Sequence, residues 1–294
     1  MSTARVTAGP AALLAAAVIW GTVGPAQVLS GTTADPGALG AARLLVGGLV
    51  LGLPLARGIA WRRMTAHPVL LWVLVTAVAT ALYQATFLYA IDRAGAALGT
   101  TVALGCAPFA TGAFAWWWLG QPPDRRWLGG TAAAVVGCAL VLAPAAGVRV
   151  DPLGVLLAVA SGCCYGAYNV SAKIFLDAGL PQLSTVAVTL VLAGVLLTPF
   201  LLLRPGGLTE PATLWLLGWL SLVATAMAYG LFALGLARSS ASTAGTLSLA
   251  GPLAAAVLGV VVLHERLSTA ALVGCLVLLA GLAVVAVPVR APRP

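Results

Sequence analysis

Charge is what this sequence has least of. Aspartate, glutamate, lysine and arginine make up 7% of its 294 residues, against roughly 25% in a soluble globular domain. A chain that is also 61% hydrophobic has too little polar surface to fold in water, and it belongs in a bilayer. Acidic residues are scarcest: seven against fifteen basic ones, none of them inside an apolar run. Histidine occurs twice, as His67 and His264, both at the edges of apolar runs. An integral-membrane enzyme needs a nucleophile-base pair, a metal cluster or acid/base carboxylates within reach of one another, and these shortages disfavour one. The five cysteines (Cys106, Cys138, Cys163, Cys164, Cys275) form no C-x-x-C pair and fall inside apolar runs, where they act as small hydrophobes. No metal and no cofactor is expected. The net charge of +8 is carried by loops and is explained by sidedness rather than by a nucleic-acid partner.

What the chain does contain is a duplication. Residues 20–93 reappear at 165–238 with a shift of 145, and 97–142 reappear at 241–286 with a shift of 144. The matches fall at structural points: Trp20-Gly21 with Tyr165-Gly166, Pro36 with Pro181, Pro54 with Pro199, Phe87 with Phe232, Arg93 with Arg238, Pro108 with Pro252, and Gly130 and Gly137 with Gly274 and Gly281. Such internal symmetry in an apolar chain is the mark of many secondary transporters. Two repeats are expected, 1–146 and 147–294.

Proline, glycine and charge punctuate ten apolar spans, near 10–29, 37–56, 68–90, 95–119, 127–145, 153–172, 182–203, 213–236, 241–263 and 269–288. A spanning helix takes about 20 residues, so ten use about 200 and leave only short connections. All should be helical, because a backbone crossing lipid must satisfy its own hydrogen bonds. Arg5 before an apolar run imitates a signal peptide, but that run carries Trp20-Gly21 and is kept as the first helix. With the N-terminus inside, the inner segments hold ten lysines and arginines and the outer loops four, while Arg43 lies within a span. This bias puts both termini in the cytoplasm. Because each repeat has an odd number of spans, the second copy enters the membrane inverted. The expected fold is therefore an all-α integral membrane protein of ten transmembrane helices, built as two inverted five-helix repeats.

Most tryptophans lie near span ends, where an interfacial belt explains them. Trp20 is mid-span instead, and Tyr83, Tyr165, Tyr168 and Tyr229 lie well inside their helices. A phenol facing lipid lacks a partner, so these side chains should face the interior. Thr76, Thr80, Tyr83, Gln84 and Phe87 follow one face of the third span, and Ser221, Thr225, Tyr229 and Phe232 repeat it on the eighth. Ser161, Tyr165, Tyr168 and Asn169 make a face of the sixth, and Trp20 with Gln27 marks the first. Polar side chains so placed glue helices together or line a substrate cavity; two equivalent stripes with mid-span aromatics favour the cavity. Its expected lining is Trp20, Thr80, Tyr83, Gln84, Tyr165, Tyr168, Asn169, Thr225 and Tyr229. Pro108 and Pro252 should bend their helices, either as structural kinks alone or to bare the carbonyls of Leu104 and Ser248 beside that cavity. Arg43 implies an interior partner, a pathway or snorkelling to the outer surface, with Glu265 the nearest acid in depth.

These features together resemble the EamA family of the drug/metabolite transporter (DMT) superfamily: paired five-span repeats, Trp20-Gly21, Arg43 in the second span, Pro108 and Pro252, and Leu263-His264-Glu265-Arg266-Leu267 before the tenth. The resemblance covers essentially the whole chain. It implies a multi-pass protein of the bacterial inner membrane that exports amino acids, other metabolites or toxic compounds. Two positions depart from the family pattern. Gly120-Gln121 stands where a Gly-Glu is expected, and at the equivalent place later in the chain His264 replaces the glycine.

The expected function is a secondary-active exporter of a small amphipathic metabolite, amino-acid-like solute or drug, working by alternating access. A passive facilitator is the alternative, with an integral-membrane enzyme a distant third. Protons are the candidate coupling ion, through Glu265 and Arg43, whereas the sequence leaves the oligomeric state open. In an otherwise cysteine-free chain, single cysteines at 57–67 and 120–126 should be labelled only from the cytoplasmic side, and those at 30–36 and 204–211 only from outside. Labelling of both sets from one side rules the topology out.

Overall fold

The computed structural model describes residues 3–58, 61–67, 69–94, 96–142, 151–262, 264 and 267–287. Every regular element among them is helical. In chain order these are α1 (Thr3–Gly21, resuming as Val23–Ser30), α2 (Pro36–Gly52, running into a tight turn Leu53–Gly58), α3 (Val69–Ala94), α4 (Ala96–Leu119) and α5 (Arg125–Val141). There follow α6 (Pro152–Asp177), α7 (Gln182–Leu196, resuming as Thr198–Leu203), α8 (Pro211–Ser221, a π stretch Leu222–Met227, then Ala228–Leu236), α9 (Ala241–Leu247 and Ala250–Val261) and α10 (Thr269–Ala286). A single turn, Trp61–Met64, sits between α2 and α3.

The few acidic side chains are spent at helix ends. Asp35 accepts hydrogen bonds from the backbone N–H groups of Gly37 and Ala38 at the start of α2, Asp124 from Trp127 in α5, and Asp151 from Leu153 in α6. Ser240 and Ser268 do the same for α9 and α10. Each cap satisfies donors that have no partner in the first helical turn. Two of these carboxylates also hold a cation, Asp35 with Arg204 at 3.2 Å and Asp151 with Arg93 at 3.6 Å.

Eight helical stretches are long and apolar enough to cross a membrane; Arg125–Val141 and Gln182–Leu196 are shorter. The outward faces are rich in side chains that water would not tolerate, from Trp117 (80% exposed) to Leu203 (81%). An apolar surface this extensive marks contact with lipid.

Inside, helices are paired by close backbone approach. Helix α6 runs along α3 and α4, α1 runs along α8 and α9, α2 packs on α7 and α5 on α10. A Cβ on Gly21 would lie 2.7 Å from Ala254 Cβ in α9, and one on Gly166 would lie 2.9 Å from Ala110 Cβ in α4. Gly21 corresponds to Gly166 in the duplication, and Ala254 to Ala110. The same correspondence holds at the helix ends, where Gly9 meets Arg238 and Gly154 meets Arg93, and between α5 and α10, where Gly137 meets Gly274 and Gly130 meets Gly281.

One equivalence is imperfect. Gly120 ends α4 with φ 63°, and the matching His264 holds φ 56° with a side chain, a left-handed conformation that costs a non-glycine residue about 1 kcal/mol or more.

The α5–α10 contact generates a stability test. A Cβ on Gly137 would meet Gly274 O at 2.7 Å, and overpacking of this kind costs about 1–3 kcal/mol. Gly137→Val should therefore lower the unfolding midpoint of the purified protein by roughly 5 °C or more. Gly129→Ala, on the open face of the same helix with nothing within 4 Å, should not lower it.

Candidate functional site

The mid-span aromatics meet in one continuous cluster drawn from α1, α3, α6 and α8. Trp20 stacks edge-on to Tyr229 with ring centroids 5.2 Å apart and lies 5.4 Å from Phe232. Tyr168 contacts both of those rings at 6.0 Å. From Tyr168 the chain of rings runs to Tyr165 at 6.1 Å, to Tyr83 at 5.6 Å and to Phe87, stacked on Tyr83 at 5.7 Å. Tyr168, Tyr229 and Phe232 are buried, so the rings enclose one another rather than facing lipid.

Polar groups are threaded through this cluster, each by a local cause. The Trp20 indole N–H donates to the carbonyl of Ala224 at 3.0 Å. That carbonyl lies in the π stretch of α8, where the widened turn leaves carbonyls off the usual i→i+4 ladder. The Tyr165 hydroxyl pairs with Ser248 Oγ at 2.6 Å. Ser248 stands at the break of α9, four residues before Pro252, where Gly251 N–H donates to the Ser248 carbonyl at 3.1 Å. Asn169 Nδ2 donates to Thr111 Oγ1 at 3.2 Å while its Oδ1 is buried without a partner.

Arg43 reaches in from α2. Its Nη2 donates to Gln84 Oε1 at 3.3 Å, and its Nε is buried without a partner. Glycines in α2 make this approach possible: a Cβ on Gly40 would lie 2.6 Å from Gln84 Nε2, and one on Gly47 would lie 2.6 Å from Thr225 Cβ.

The structure thus brings together Trp20, Tyr83, Gln84, Tyr165, Tyr168, Asn169 and Tyr229, with Arg43 among them. Two expected lining residues play a more local part. Thr80 donates its hydroxyl to Thr76 O one turn back, and Thr225 is fully buried against Gly47 with its Oγ1 unpartnered. Gln27 is exposed rather than sharing the Trp20 face. The reason is the break at Thr22, whose hydroxyl donates to Ile19 O at 2.7 Å and accepts from the Trp219 indole at 3.0 Å, turning the next segment. Trp127, expected at the interface, is buried against Gly112. Pro108 leaves α4 unbroken, while α9 is interrupted before Pro252. Glu265, the expected acid near Arg43, lies outside the described residues.

Sequence reasoning missed Thr111 and Ser248 as side-chain partners. Their repeat equivalents are Ala255 and Leu104, so a search by symmetry passes over them. A threonine and a serine inside apolar spans were the available signal.

Comparison with known proteins assigns this architecture. The EamA-like transporter family matches residues 7–143 and again 152–287. The chain belongs to that family. An uncharacterized transporter, YwfM of Bacillus subtilis (strain 168), is 37% identical over 290 residues, covering 96% of this chain and 93% of that one. A solved crystal structure superimposes with a TM-score of 0.80 over 97% of this chain and 98% of the other at 22% identity, a likeness of fold alone. The EamA chain described here is accordingly a multi-pass membrane transporter of the DMT type, in contact with the lipid bilayer.

Proposed function

We propose that this EamA protein is a secondary-active exporter of a small amphipathic metabolite, amino-acid-like solute or drug, carried by alternating access. The observation that carries the reading is the aromatic-polar cluster, to which α1 and α3 of the first half and α6 and α8 of the second all contribute. A site shared between halves can be offered to either face of the membrane as the halves rock.

The helix pairing supports ten transmembrane helices in two inverted repeats, 1–146 and 147–294. Exchanging α1–α5 with α6–α10 turns the pairs α6–α3 and α6–α4 into α1–α8 and α1–α9, and returns α2–α7 and α5–α10 to themselves. That is the behaviour of a pseudo-two-fold axis, and the glycine contacts obey it as well. The basic-residue bias supports both termini on the cytoplasmic side of a bacterial inner membrane.

Trp20, Tyr83, Gln84, Tyr165, Tyr168, Asn169 and Tyr229 form the binding surface on this reading, with Thr80 and Thr225 supporting it from behind. Pro252 and the α9 break at Ser248 supply a flexible joint beside Tyr165; Pro108 is the stiffer counterpart. Glu265 is the proton-coupling candidate, because no carboxylate lies within a span and a relay needs a titratable group.

A thermal-shift screen of the purified protein against metabolites and drugs should find the substrate, since a ligand at 100 times its Kd stabilises the native state by about 2.7 kcal/mol. With that substrate in proteoliposomes, Trp20→Ala, Tyr168→Ala and Tyr229→Ala should each raise the half-saturating concentration by about tenfold or more at matched insertion. Trp117→Ala, on the lipid face, should leave it unchanged. Glu265→Gln should keep exchange and lose accumulation driven by a pH gradient. Greater sensitivity at Trp117 than at Trp20 rejects the site, and full gradient-driven accumulation in Glu265→Gln removes that residue from coupling.

A further inference from the structure

Charges in this protein are matched almost everywhere they are buried or constrained. Lys173, at the inner end of α6, lies 3.0 Å from Asp177 and donates to Leu236 O at 3.4 Å. Arg93 and Arg204 hold Asp151 and Asp35. Arg63, Arg126 and Arg238 donate to main-chain carbonyls at helix ends. Arg43 is the described basic side chain that bonds to Gln84, next to Tyr83 of the ring cluster, and among the described residues it has no carboxylate within 4.0 Å. What it has is the neutral oxygen of Gln84 at 3.3 Å, a long hydrogen bond.

An uncompensated guanidinium inside a membrane protein is costly and is kept where something anionic meets it. Its Nε–H, buried without a partner, and Nη2, which spends one of its two hydrogens on Gln84, share the edge of the guanidinium whose two donors match a carboxylate. The helix that carries Arg43 packs at Gly40 on Gln84, next to Tyr83, and at Gly47 on Thr225, one turn before Tyr229; the Tyr229 ring in turn meets Trp20 and Tyr168. One cation suits one negative charge. A phosphate dianion would need a second, and Lys173, the buried lysine among the described residues, is committed to Asp177 at the end of α6. Among the described residues, no acidic side chain is found in the contacts of the cluster to hold an amine.

We propose that Arg43 is a carboxylate anchor and that the transported molecule is a small organic monocarboxylate whose apolar or aromatic body lies on Trp20, Tyr168 and Tyr229. The assignment rests on the reading of the aromatic cluster as the substrate site. Gln84 positions the guanidinium by accepting from Nη2, which leaves the Nε–H free for a ligand.

The test uses acid and amide pairs of equal shape, 3-phenylpropionate with 3-phenylpropionamide and indole-3-acetate with indole-3-acetamide, titrated into the purified full-length protein by calorimetry and thermal shift. Wild type should bind each acid about tenfold to a hundredfold more tightly than its amide, the worth of a charged hydrogen-bonded pair. Arg43→Gln should erase that preference while the amide still binds, and Arg43→Lys should retain part of it. Trp20→Ala should weaken acid and amide alike. An acid-to-amide ratio near one in wild type, or no binding of any of the four probes, overturns the proposal without any variant having to fold. A preference that persists in Arg43→Gln overturns the anchor while leaving the aromatic site standing. Loss of the preference in Arg43→Gln with both affinities untouched by Trp20→Ala instead overturns the placement of the body on the rings.

Discussion

Two glycines set the geometry on which the rest depends. Gly21 and Gly166 bring α1 against α9 and α6 against α4 so closely that a Cβ on either would overlap the facing helix. The residue just before each glycine is a large aromatic, Trp20 or Tyr165. In each dipeptide the glycine fixes how near the helices come, and the ring before it is carried into the space that approach encloses. Trp20 then meets Tyr229 and Phe232, Tyr165 meets Tyr83 and Tyr168, and the cluster closes. Without a hydrophobic driving force between helices in lipid, such small-residue contacts are what hold a bundle together.

Around these matched glycine contacts the polar groups are unlike. Tyr165 is partnered by Ser248 and Asn169 by Thr111, whereas the positions equivalent to those partners are apolar. Trp20 is held by a main-chain carbonyl that a π stretch in α8 makes available, and no π stretch is found in the equivalent helix α3. Arg43 has no basic counterpart either, since the residue 145 positions on is Val188. On the proposed reading, a repeated backbone suits a site that opens to two faces, and unlike side chains give that site one charged end and one aromatic end.

The sequence was most legible where physics demands a residue type whatever its surroundings. The mid-span tyrosines announced the interior, because lipid offers a phenol no partner, and Tyr168 and Tyr229 are buried in the ring cluster. Helical spacing placed Tyr83 with Phe87 and Tyr165 with Tyr168 on shared faces, and their rings are in contact. It failed at Gln27, because the Thr22 break depends on Trp219 in a helix almost two hundred residues away. It also failed to separate Pro108 from Pro252. Both remove an N–H, yet only α9 breaks, and Ser248 at that break is tied to Tyr165. The partner of Arg43 was the least readable feature, since depth along a span says nothing of where a long side chain turns. It turns to Gln84.

The most direct measurement is accessibility at the centre of the cluster. Tyr168 is buried beneath Trp20, Tyr229 and Phe232, and in a working alternating-access cycle it is uncovered to each face in turn. Tyr168→Cys, in a chain otherwise free of cysteine and inserted in one orientation into vesicles, should react with a membrane-impermeant thiol reagent supplied from either side. Transported substrate should slow both reactions. Reaction from one side only, at a rate indifferent to substrate, would contradict the account.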